Sequence, residues 1–97
     1  MSPNKYKKLK KLRKRLDILD NSLIKLIKKR TLIVNQVLQL KDLKKQIVDK
    51  KRIKLILSEI KKKSIKNNID PKITKRIWIN MIRAYIDYEK RNFKKRK

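Results

Sequence analysis

Neither cysteine nor histidine occurs in this chain, and glycine is absent as well. Without cysteine there is no disulfide framework and no thiolate nucleophile. Without histidine there is no Ser-His-Asp triad and no imidazole metal site. Only 8 residues are acidic, too few for a carboxylate cage around a metal to be expected. The two prolines, Pro3 and Pro71, leave nothing between them that would break a helix through backbone chemistry. No apolar run approaches the roughly 18 residues of a membrane span, and the opening MSPNKYKKLKK lacks the apolar stretch of a signal peptide. Together these absences point to a soluble, cytoplasmic protein with no membrane partner.

What is abundant is positive charge. Lysine and arginine total 33, giving a formal net charge of +25. Such self-repulsion normally signals an anionic partner: nucleic acid, a membrane surface or an acidic substrate. Lysine, isoleucine and asparagine are also abundant together and share A/T-rich codons, so compositional drift is an equal explanation for charges on solvated faces. At 97 residues the chain fits one domain with a modest core, and a partner is expected to contribute to stability.

The apolar pattern is helical. Steps of three and four pass through Leu9, Leu12, Leu16, Leu19, Leu23, Leu26, Arg30, Ile33, Val37 and Leu40, while Ile27, Val34 and Leu38 widen the seam. This predicts a first helix over about 4–41, about 50 Å long at about 1.5 Å per residue. A compact monomer of this size has a radius of gyration near 13 Å, so the seam requires a second copy to cover it. Residues 42–48 lose the period and read as a connection. Asp49 is a candidate N-cap for a second helix carrying Ile53, Ile56, Leu57 and Ile60, ended by the polar stretch KKKSIKNNIDP. Asp70 followed by Pro71 opens a third, with Ile73, Ile77, Trp78, Met81, Ile82 and Tyr85 on one face, fraying in RNFKKRK. The fold class is all-α: one long N-terminal helix and two shorter ones.

A few polar residues occupy apolar phases. Arg30, Val34, Val37 and Lys41 fall at i, i+4, i+7 and i+11, a single stripe of a helix. Two cations over an apolar floor suit a small anion, although Lys41 can equally snorkel at a helix end. Arg30 is harder to dismiss, because an unpaired guanidinium in a packed seam costs several kcal/mol. Arg52 edges onto the apolar face of the second helix, and Glu89 extends that of the third beyond Tyr85. The structural alternative for Glu89 is an ion pair with a buried cation. Arg13 lies seventeen residues before Arg30, about 25 Å along one helix, so one chain cannot use both on one small molecule. Two antiparallel copies can, whereas a surface pair of Arg13 with Asp17 at i+4 would be worth only tenths of a kcal/mol.

These spacings resemble the all-helical chorismate mutase family, whose fold is three helices interlocked as a homodimer. LRKRLDILDNSLIKLIKKR is similar to that family's first-helix signature, and the likeness continues through Lys41, VDKKR with Asp49 and Arg52, IDP, and Glu89. It spans about residues 6–93 of a single domain read over 1–97. The resemblance implies that Arg13 from the neighbouring subunit, with Arg30 and Arg52, binds the substrate carboxylates. It implies that Lys41 bonds a carboxylate and the ether oxygen, that Glu89 replaces a common Gln donating to that oxygen, and that Asp49 and Tyr85 also line the substrate site. The implied reaction is the Claisen rearrangement of chorismate to prephenate in phenylalanine and tyrosine synthesis, with no cofactor. Ile53 departs from the family's frequent Glu after the arginine. The pair Arg52-Ile53 and the segment AYIDYE look more like the isochorismate pyruvate lyase branch, which forms salicylate. To donate, Glu89 must be protonated, which burial favours and nearby cations oppose. A basic helical nucleic-acid-binding protein accounts for the charge but not for Arg30 in the seam, and aromatics for base stacking are few.

Overall fold

The structure, a computed structural model, describes residues 1–94. Three α-helices and one short 3-10 turn make up the described residues, with no strand among them. The helix α1 runs Pro3–Gln39, α2 Lys50–Lys66 and α3 Pro71–Asn92. All-α architecture follows from a chain without glycine and with proline only at helix starts, since Pro3 and Pro71 each stand at the first helical residue, where a missing N–H costs nothing.

The chain falls into two compact units, Met1–Ile33 and Val34–Lys97. The first unit is helical from Pro3 onward, opened by the Ser2 hydroxyl accepting from the Lys5 N–H at 3.3 Å. Every residue in it is exposed except Leu9 and Thr31, which are half-buried. The predicted seam is therefore a helix face without cover inside its own unit: Leu16 is 58% exposed and Leu23 54%.

The second unit holds the core. The last turn of α1 tightens, with Leu40 N–H bonding Val37 C=O at 3.0 Å and Lys41 N–H bonding Leu38 C=O at 3.1 Å, the i→i−3 closure common at helix ends. The helix thus stops at Gln39, two residues short of the expected end. Lys41 lies beyond it, so the helical rise that placed Lys41 on the stripe of Arg30, Val34 and Val37 does not extend to it. The connection contains a 3-10 turn, Lys44–Ile47, held by the Gln46 side-chain oxygen accepting from the Asp42 and Leu43 N–H groups at 2.8 Å each. That turn drives Ile47 inward to 4% exposure, and it packs against α3.

Helix α2 begins where Asp49 accepts from the Arg52 N–H at 3.0 Å, as its capping position predicts. It passes through much of the polar stretch expected to end it and closes at Lys66. The stop is a Schellman motif: Ile69 N–H returns to Ser64 C=O at 2.9 Å and Asn68 N–H to Ile65 C=O at 3.2 Å. Asn68 takes the left-handed position at φ 57°, which asparagine tolerates better than most residues. Asp70 then caps α3 by accepting from the Lys72 N–H at 2.9 Å. Between α2 and α3, which pack on each other, Ser64 and Thr74 share a buried 2.6 Å hydroxyl bond. Ile53, Ile56, Leu57 and Ile60 on α2, and Trp78, Met81, Ile82 and Tyr85 on α3, are half-buried as their phase predicts, but Ile73 and Ile77 are exposed.

Candidate functional site

Two of the predicted site residues, 48 positions apart, meet in the second unit: Lys41 Nζ lies 3.1 Å from Glu89 Oε1. The contact is sheltered, with the side chains 19% and 9% exposed. Lys41 is placed by the tightened end of α1, and Glu89 by the inner face of α3 one turn beyond Tyr85. A charge-assisted bond in such shelter is stronger than its surface counterpart. Removing either partner from such a pair leaves an uncompensated charge, at a cost on the order of 3 kcal/mol. Glu89 is 7% exposed as a whole residue, which its position on the apolar face of α3 anticipates. An ammonium carries three donors, so a Lys41 bonded to Glu89 retains capacity for an anion or an ether oxygen.

Beside this pair, Tyr88 donates its hydroxyl to Asn35 Oδ1 at 2.8 Å. Its ring also meets that of Tyr85 edge to face, with centroids 6.4 Å apart and planes at 86°, within the favourable range for aromatic pairs. Neither Asn35 nor Tyr88 was singled out by the sequence. The available signal was an asparagine, a poor former of helix interiors, set between Val34 and Leu38 in the apolar phase of α1.

The other predicted residues are placed less closely. Asp49 is exposed and engages its Oδ1 in capping α2 through the Arg52 N–H, and Arg52 is exposed on the first turn of that helix. Tyr85 is half-buried. Arg13 and Arg30 both belong to the first unit and are exposed on α1; Arg13 borders a shallow hollow of about 140 Å³ with Tyr6, Leu9 and Lys10.

A family model, that of chorismate mutase type II, matches residues 12–90. The chain belongs to the chorismate mutase type II family. No curated protein and no solved structure matched it. Chorismate mutases are isomerases, and the three-helix architecture agrees with the helical fold of the family.

Within this member of the family, a groove of about 440 Å³ is lined by Lys41 together with Asn35, Leu38, Gln39, Tyr88, Asn92 and Lys94. It contains Lys41, a predicted site residue of the second unit. A larger groove of about 520 Å³, between α2 and α3, has Leu57, Ile60 and Pro71 at its floor and Lys54, Lys61, Lys72 and Lys75 around it. It holds none of the predicted residues, and its size alone gives it no claim on the chemistry. No helix among the described residues is long and apolar enough to cross a membrane.

Proposed function

We propose that this member of the family rearranges chorismate to prephenate for phenylalanine and tyrosine synthesis, acting in the cytoplasm as a homodimer of one-domain chains. The observation that carries the reading is the sheltered meeting of Lys41 with Glu89 at 3.1 Å, two residues that local sequence cannot bring together. In the rearrangement one C–O bond breaks while a C–C bond forms, and negative charge grows on the ether oxygen. Catalysis then requires a folded substrate conformer and a cation at that oxygen. Lys41 supplies the cation. Glu89 holds the ammonium in place beside that oxygen. Arg30 and Arg52 take the two carboxylates, for which the planar guanidinium is suited, while Asp49 and Tyr85 border the substrate.

The exposed seam of α1 supports the dimer, because leucines such as Leu16 and Leu23 at more than half exposure form an apolar stripe that water does not favour. In that dimer Arg13 comes from the second copy. Ile53, half-buried directly after Arg52, favours a second reading, isochorismate pyruvate lyase, because it cannot bond a substrate hydroxyl as a glutamate would. Purified protein supplied separately with chorismate and with isochorismate decides between them. Prephenate from the first is the expected outcome; salicylate and pyruvate from the second alone would select the lyase, and no product from either would refute both.

A further inference from the structure

We propose that Tyr88 and Asn35 are positioning residues for this site, acting through Tyr85; the inference rests on the reading that Lys41, Tyr85 and Glu89 border the substrate. Tyr85 and Tyr88 are three residues apart on α3 and share a face. Tyr88 touches both neighbours that matter: its ring lies edge-on to Tyr85 at 6.4 Å, and its hydroxyl is fixed 2.8 Å from Asn35 Oδ1 on α1. Asn35 therefore sets the rotation of the Tyr88 ring, and that ring limits the space open to Tyr85. Glu89, the next residue along α3, bonds Lys41 just past the end of α1. The two cross-links, Asn35 to Tyr88 and Lys41 to Glu89, join the same two stretches of chain at neighbouring points.

The chemical logic lies in the cost of a polar group at a half-buried helix position. Asn35 and Tyr88 are both half-buried, where an apolar pair of equal shape would do as well for stability. A directional bond does what an apolar contact does not, since it holds the aromatic ring at one angle. The rearrangement depends on a substrate folded to within a fraction of an ångström of its reactive conformer, so a wall of fixed orientation beside it raises turnover rather than affinity.

The test is a mutant cycle with steady-state kinetics on chorismate. Tyr88→Phe keeps the ring and removes the bond. We expect kcat to fall about threefold to tenfold, the range set by one neutral hydrogen bond, with KM within about twofold. Asn35→Leu should match it, and the double variant should lose no more than either single one, as two halves of one bond do. In a Tyr85→Ala background, Tyr88→Phe should have no further effect on kcat. Equal losses in both backgrounds, a change in KM alone, or no change at all would overturn the positioning role while leaving the site reading intact. Turnover unaffected by Tyr85→Ala, or absent from the unaltered protein, would overturn the site reading and this inference with it. Thermal melts of each variant separate folding from positioning, and Asn35→Leu keeps the test open if a Tyr88 variant fails to fold.

Discussion

Leu16 and Leu23 in the first unit and Ile47 in the second are all large aliphatics, yet the first two are 58% and 54% exposed and the third 4%. The leucines have the better pattern: they sit on an unbroken seam of α1, whereas Ile47 lies in a connection where the period had lapsed. A periodic face tells where a helix will bury its side chains, but burial itself needs a neighbour. Ile47 has α3 beside its 3-10 turn, while the seam of Met1–Ile33 has no cover of its own. The same contrast divides the chemistry. The second unit brings Lys41 to Glu89, and the first presents Arg13 and Arg30 on an exposed helix.

Charging the seam should break that comparison most severely. Leu16→Asp combined with Leu23→Asp puts two carboxylates where the dimer reading places apolar contacts, and burying unpaired charge costs several kcal/mol. We expect a monomer in sedimentation equilibrium and at least a hundredfold loss of turnover, because an interface of this kind is held by its apolar centre. A dimer that persists with full activity would place the contact elsewhere.

A smaller effect is expected inside the second unit. Glu89→Ala removes the carboxylate that holds the Lys41 ammonium at 3.1 Å and leaves that sheltered cation unpaired, so kcat on chorismate should fall at least tenfold, while Glu89→Gln, which still offers Lys41 an acceptor, should keep more of it. Turnover unchanged in Glu89→Ala would remove Glu89 from the site. The smallest effect belongs to Ser64→Ala, which deletes the 2.6 Å bond to Thr74 far from the proposed substrate site. A loss of about 1 kcal/mol in urea unfolding with kcat unchanged would sharpen the division between packing and chemistry within this unit.

Much of this was legible in the sequence for reasons that are local. Asp49, Asp70 and Pro71 act through groups two or three residues away, so their capping roles follow from spacing alone. Glu89 stood out because an acid on an apolar face is conspicuous in a chain with few acids. The errors have equally physical sources. The stripe through Arg30 and Val37 could not be extended to Lys41, because the last turn of α1 tightens into i→i−3 bonds, and nothing in the apolar phase announces that change. The polar stretch after Ile60 concealed Ser64, which is four residues on and in the same phase; its hydroxyl is satisfied within the core, so polarity gave the wrong signal. Ile73 and Ile77 are on the predicted face but exposed, a face broader than the second unit covers. The bond between Asn35 and Tyr88 spans 53 residues and has no local signature. Arg30 and Arg52 were marked by their apolar phases, but their roles in the proposed site, like those of Arg13, Tyr85 and Asp49, come through the family resemblance and the dimer reading.

The claim on which the proposed function depends is that an active site is complete only between copies, Arg13 of one chain serving the same substrate as Arg30 of the other. Mixing inactive Arg13→Ala and Arg30→Ala proteins, with subunit exchange verified by mass-tagged chains, measures it directly. Random exchange makes half the dimers mixed, each with one intact site, so activity should return to about a quarter of the unaltered level. Exchange that proceeds while activity stays at the level of the separate variants would contradict the account.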